Sequence, residues 1–233
     1  LISGEPVTRL IADRIGPSVA LATGAILLSV LMAVPLGVLA AARRGSALDR
    51  GVMGFSVLTF SVPVFLKAYL LMQLFSIELE WLPVQGYRPL AAGFWEFAQR
   101  LVLPVIALSA AYAALIARIA RSSVLEVIGE DYIRTARAKG ADEATVLMRH
   151  ALRNAAVPIV TIIGIGVATL IGGVVVTESV FNLPGLGRLV VEAVLAHDYP
   201  VIQGLILFFS LVYILVNLVI DVLYTVIDPR IRY

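Results

Sequence analysis

Side chains able to make or break bonds are sparse. Among 233 residues there are two histidines, His150 and His197, and no cysteine. Without cysteine there are no disulfides, thiolate metal sites or thiol nucleophiles. Neither histidine belongs to an H-E-x-x-H zinc pattern. The two lysines are Lys67, followed by Ala68, and Lys139, followed by Gly140. Neither completes a G-x-x-x-x-G-K-[ST] phosphate loop. The residues therefore nominate no metal ligand and no catalytic group. If the chain serves an ATP-driven process, the motor is another polypeptide.

The polar residues that stand out lie inside apolar runs. Ser210, Tyr213, Asn217, Asp221 and Tyr224 are spaced 3, 4, 4 and 3 apart, which places them on one helical face. A carboxylate at Asp221 points to a bundle interior or a water-filled cavity rather than to lipid. A clamp to a neighbouring helix and a translocation pathway both satisfy that demand. Lys67 interrupts the run 51–77. Measured along a straight helix it lies too deep to reach the interface, so it is expected to face a pathway or a partner subunit. Gly164, Ala168 and Gly172 form a small-residue stripe suited to a close helix–helix seam, with pore lining as the rival reading.

Composition says what must hold these residues. Hydrophobic residues make up 60% of the chain and charged ones 15%. Soluble domains are about half apolar and a quarter charged, so this is an integral membrane protein and not a nucleic-acid binder or a disordered chain. Five runs are long enough to cross a hydrocarbon core as helix: 15–42, 51–77, 101–119, 157–177 and 201–227. Strict alternation is absent, which argues against a barrel. The expected fold is all-α, a single transmembrane domain with five spans.

Twelve Lys and Arg fall on one side, in 43–50, 118–156 and the tail with Arg230 and Arg232. Five fall on the other: Arg9, Arg14, Arg88, Arg100 and Arg188. The twelve-residue side should be cytoplasmic, with the C-terminus. An outside start implies an upstream span, six in all, with residues 1–14 as a polar lead-in. Trp81, Tyr87, Phe94 and Trp95 in the outer loop read as headgroup anchors, with substrate stacking as the lesser alternative.

The segment 118–156 is too long for a passive connection. Its sequence predicts a helix continuing from Arg118 to Lys139, a left-handed C-terminal residue at Gly140, and a second helix from Glu143 to about Asn154 capped by Asp142. Pro158 follows near the start of the next run, where proline costs least. A helix–glycine–helix knob of this kind suits docking to another protein. Glu126, Glu130, Asp131, Asp142 and Glu143 weaken the alternative, a basic helix lying on anionic lipid.

The stretch Gly129-Glu-Asp-Tyr-Ile-Arg-Thr-Ala-Arg-Ala-Lys-Gly140, followed by Arg149-His-Ala-Leu-Arg-Asn154 and Pro158, resembles the coupling loop of permease subunits of ATP-binding-cassette importers. It is closest to the dipeptide, oligopeptide and nickel permease family. Glu178-Ser-Val-Phe-Asn-Leu-Pro-Gly-Leu-Gly-Arg188, Asp198-Tyr-Pro200 and the terminal Asp228-Pro-Arg-Ile-Arg-Tyr233 are similar to that family too. Where the general importer motif has Glu-Ala-Ala, this chain has Arg134, Thr135 and Ala136, as the peptide branch commonly does.

The resemblance implies a subunit of the bacterial inner membrane that forms half of a translocation pathway and has no covalent chemistry of its own. Implied partners are a paralogous permease, two ATPases carrying ATP and Mg, and an extracytoplasmic substrate-binding protein. Arg134, Ala136, Arg137, Lys139, Gly140, Ala141, Asp142 and Glu143 would contact an ATPase. Glu178, Asn182, Pro184, Gly185 and Gly187 would form an outer gate or receptor for the binding protein. Lys67, Asn217 and Asp221 are the pathway candidates. The implied cargo is a di- or oligopeptide, with glutathione-like peptides or nickel complexes as alternatives. An ion-coupled transporter using Lys67 and Asp221 as relay charges is the rival class, and an intramembrane enzyme is remote because paired catalytic residues are missing.

Overall fold

The computed structural model describes residues 4–227, with side chains left aside at 168, 169, 171 and 223–227. The terminal Asp228–Tyr233 motif, Arg230, Arg232 and the side chains of Ala168 and Tyr224 thus lie outside the described residues. Every regular element described is helical: α1 Val7–Ala42, α2 Ala47–Ser61, α3 Val64–Met72 continuing as a π-helical turn to Glu78, α4 Phe94–Ile128, and α5 Asp131–Ala138. They are followed by α6 Glu143–Asn154, with a π-helical centre, α7 Ala156–Val180, α8 Leu186–Leu195 and α9 Tyr199–Ile227.

Among the described residues, α1, α4 and α9 are each long and apolar enough to cross a membrane. Five spans result if the bent pairs α2–α3 and α6–α7 each count as one. The first pair bends by 100°. Pro63 supplies no N–H, and its ring drives Val62 out of the helical region, so α2 stops at Ser61 and Pro63 starts α3 with ψ 148°. The straight helix on which the depth of Lys67 was reckoned does not exist. The second pair bends by 59°. There Pro158 cannot bond to the carbonyl of Asn154, and the break falls at Ala155.

Two further expectations are corrected. Residues 7–14 are not a lead-in but the first turns of α1, because Val7, Leu10 and Ile11 pack on the buried cluster that α8 and α9 share. Arg118 to Lys139 is not one helix. It stops at Ile128, where Gly129 and Glu130 donate to the carbonyls of Glu126 and Val127 in tightened turns, and α5 restarts in a register that buries Ile133 completely.

The chain forms two compact units. The first takes in the described parts of Leu1–Leu28, Val62–Ser109 and Val167–Val216. Its core joins Leu186, Leu189 and Ala193 of α8 to Val201 and Leu205 of α9, with Val7 and Ile15 of α1 against them. The second takes in the described parts of Ser29–Ser61, Ala110–Gly166 and Asn217–Tyr233. Its core joins Val38 and Ala41 of α1 to Ala120 and Val124 of α4 and to Ala151, Ala155 and Ile159. Within it a Cβ on Gly164 would lie 2.6 Å from Ile220 Cδ1, the close approach expected of a small-residue seam. Gly172, in the first unit, has nothing within 4 Å of its would-be Cβ, so the stripe is not one continuous seam.

Candidate functional site

The knob between α4 and α7 is built by local rules. Gly140 has φ +86°, its N–H donates to the carbonyl of Arg137, and Ala141 N–H donates to that of Ala136. This pair of bonds around a left-handed residue is the Schellman helix end. Asp142 then caps α6, its carboxylate accepting from Thr145 N–H at 3.2 Å. Thr145 holds the Asp142 carboxyl below its ordinary value, through its side chain first and its N–H second. Arg137 reaches across the turn to Glu143 with two bonds of 2.7 and 3.2 Å, which hold its guanidinium above its ordinary value. Arg137 and Glu143 therefore shape the turn as well as presenting charge.

The knob is seated from below. Ile133 of α5 and Val146 of α6 are fully buried, and α5 packs on the π-helical part of α6. Asn154 Nδ2 donates to Tyr132 Oη at 2.9 Å and to the carbonyl of His150. Arg134 pairs with Asp131, one turn away. Around the turn Arg134, Arg137, Lys139, Gly140, Asp142 and Glu143 are exposed, with Ala136 and Ala141 half-buried. All eight residues nominated for coupling thus lie in one short stretch about the turn, and each is exposed or half-buried.

The same unit holds a feature the sequence did not flag. Asp49, buried at the start of α2, accepts from Arg121 Nε at 2.5 Å and Nη2 at 2.8 Å and from Gly45 N–H at 2.9 Å. The two residues are 72 apart, so no local pattern announces the pair.

In the first unit, residues 178–188 fold inward. Phe181 and Leu183 are buried, and Gly86 N–H donates to the Phe181 carbonyl. Glu178 is fully buried at the end of α7, accepting from Ser18 Oγ of α1 and from Arg188 N–H at 3.0 Å. Ser18 in turn accepts from Leu186 N–H at 2.7 Å. The carboxylate thereby caps α8 from a distance, satisfying donors that helix starts leave orphaned. A Cβ on Gly185 would overlap that carboxylate, and one on Gly187 would lie 2.6 Å from Val175 Cα. Arg14 holds Glu192 of α8 at 2.7 Å, with Arg188 Nε at 2.8 Å on the other oxygen. Burial works to raise the Glu192 carboxyl, but Arg14 and then Arg188 hold it below its ordinary value.

The outer-site candidates divide by burial. Glu178, Gly185 and Gly187 are buried, whereas Asn182 and Pro184 are exposed. No local signal in the sequence announces α8, which begins directly after Pro184 and Gly185. Trp81, Phe94 and Trp95 are strongly exposed, and Trp81 packs on Phe75 at 5.9 Å between centroids.

The pathway candidates fall in different units, Lys67 in the first and Asn217 and Asp221 in the second. Lys67 is half-buried on α3, Asn217 is half-buried on α9, and Asp221 is exposed one turn further along α9 rather than turned into the chain's own core.

Comparison with known proteins bears on this arrangement. Residues 33–233 match the family model described as the binding-protein-dependent transport system inner membrane component. The whole chain is 50% identical to the probable peptide ABC transporter permease protein y4tP of Sinorhizobium fredii, covering 74% of that protein. It is 46% identical to the glutathione transport system permease protein GsiC of Escherichia coli, again over the whole chain and 74% of the relative. The structure resembles an inward-facing conformation of the MetNI methionine ABC transporter, with TM-score 0.79, 19% identity, and 97% of this chain and 99% of that chain covered.

Proposed function

The chain belongs to the family of binding-protein-dependent transport system inner membrane components, and on that premise we propose that its cargo is a peptide. Membership makes it a multi-pass inner-membrane permease of an ATP-binding-cassette importer, a transport subunit and not an enzyme. The peptide reading is supported by the peptide permease at 50% identity and the glutathione permease at 46%. A small peptide such as glutathione is the second reading, on the same ground.

In the proposed cycle an extracytoplasmic binding protein delivers the peptide, and this chain and a paralogous permease enclose the path. Two ATPase subunits, which carry ATP and Mg, close and push on the α5–α6 knob. The C-terminus lies on the cytoplasmic side with the knob. Arg134, Ala136, Arg137, Lys139, Gly140, Ala141, Asp142 and Glu143 form the docking surface. Asn182 and Pro184 face the binding protein, while Glu178, Gly185 and Gly187 hold α8 behind them. Lys67, Asn217 and Asp221 line the path or face the partner permease.

The observation that carries the coupling role is the knob's geometry: a capped, ion-paired helical turn that is exposed at its tip and anchored by Ile133 and Val146 at its base. The test is a cross-link from Ala141→Cys in the assembled complex, together with Gly140→Val. Capture of an ATPase subunit is expected, with ATP still hydrolysed by Gly140→Val but peptide uptake per ATP reduced. A cross-linker that never captures an ATPase refutes the docking surface.

A further inference from the structure

The second unit contains a cleft of about 160 Å³ between α2 and α4, lined by Met53, Ser56, Val57, Phe60, Leu115 and Arg118, among others. Its walls are mostly apolar. The hydroxyls of Ser56 and Ser61 donate to the carbonyls of Val52 and Val57 in their own helix, so they ask nothing of an occupant. One residue differs. Arg118 is the first charge after the apolar run 101–117, and it is exposed. Among the described residues no carboxylate lies within 4.0 Å of it, whereas Arg121, one turn further along α4, is fully matched by Asp49.

The turn that precedes α2 carries exposed charge of the same sign. Arg43, Arg44 and Arg50 are exposed at the turn between α1 and α2, and Asp49, the acid among them, is occupied by Arg121. The cleft thus carries one guanidinium, that of Arg118, beside a mostly apolar floor running along α2 from Met53 towards Phe60. Phe55, Val57, Leu58 and Phe60 of α2 are all largely exposed beside it.

We propose that this cleft binds an anionic phospholipid of the cytoplasmic leaflet, its phosphate on Arg118 and an acyl chain along Met53, Val57, Phe60 and Leu115. A basic pocket between spans at the cytoplasmic surface is the arrangement that attracts anionic headgroups. An acyl chain meets the apolar walls without leaving a polar group unpaired. A guanidinium matches phosphate oxygens with paired donors. The assignment rests on the orientation proposed above but not on the cargo, and its readout is independent of transport.

The test uses the complete complex, extracted from vesicles of equal phosphatidylcholine and phosphatidylglycerol and examined by native mass spectrometry. Wild type retains phosphatidylglycerol preferentially. Arg118→Gln lowers that preference about fivefold, the effect of one basic group near an anionic surface. Arg118→Lys recovers most of it. Both variants leave the buried Asp49–Arg121 pair intact. Equal retention of the two lipids by wild type, or an unchanged preference in Arg118→Gln, overturns the proposal. So does an efficient cross-link from Arg118→Cys to the partner permease in the membrane, which would show the cleft covered by protein.

Discussion

Replacing Glu178 with alanine removes the acceptor that joins α1, α7 and α8. In the structure its carboxylate accepts from Ser18 Oγ and Arg188 N–H in a fully buried setting. Each donor left unpaired away from water costs about 1–3 kcal/mol, so Glu178→Ala should weaken the local attachment of α8 by about 2–6 kcal/mol. Glu178→Gln keeps one acceptor for Arg188 N–H and turns an amide donor towards Ser18, which reduces the loss to about 1–3 kcal/mol. Gly185→Ala attacks the same joint from the other side by placing a methyl on the carboxylate. The assay is amide hydrogen exchange at 186–188 in the assembled complex, which reports local opening. At about 1.4 kcal/mol per factor of ten, 2 kcal/mol is about thirtyfold faster exchange for Glu178→Ala, with Gln between alanine and wild type. Unchanged exchange at 186–188 in Glu178→Ala, or a glutamine variant looser than the alanine one, would refute the reasoning.

Arg121→Ala strands the buried Asp49 carboxylate and should cost about 3–5 kcal/mol, read as a lower thermal midpoint of the purified complex; adding Asp49→Ala should restore much of it, and no recovery would show that the pair acts otherwise. Asp142 and Glu192 both sit below their ordinary values, so the stability they contribute is fully present above the unfolded values of about 4 and is lost as pH falls through the folded ones. The thermal midpoint should therefore drop between pH 5 and pH 3 by less in Glu192→Gln than in wild type, the pH values being about those that bracket carboxylate titration. Lys67→Cys introduces the sole thiol of a cysteine-free chain and should react with a membrane-impermeant reagent in at least one nucleotide state. Protection in every state would remove Lys67 from the pathway.

Much of the knob was legible because its determinants are local. A glycine at 140 after a helical stretch and an aspartate at 142 before another call for a left-handed end and a cap, and the structure has φ +86° at the one and a Thr145 bond at the other. The proline at 63 announced a disturbance but not its size, since a kink and a 100° turn share the same missing N–H. Asn-Leu-Pro-Gly-Leu-Gly from 182 to 187 reads as a run of turn formers. Its glycines instead admit the Glu178 carboxylate and Val175, and the helix begins in their midst. Ser18 lay unremarked in an uncharged run because its partners are 160 and 168 residues away.

The sequence alone settled the solvent, the helical class, the apolar runs and the position of the knob. Hydrophobic content, run length and capping residues act over a few residues or as sums, and both can be read without coordinates. Tertiary structure decided where those runs break, which carboxylates are buried, and which arginine has a partner. Ile133 pulls α5 out of line with α4, Val7 and Ile11 extend α1 to meet α8, and Asp49 claims Arg121 while Arg118 faces an open cleft. Each of these outcomes depends on packing between segments distant in the chain, where burial and charge pairing outweigh the local preferences that a sequence displays.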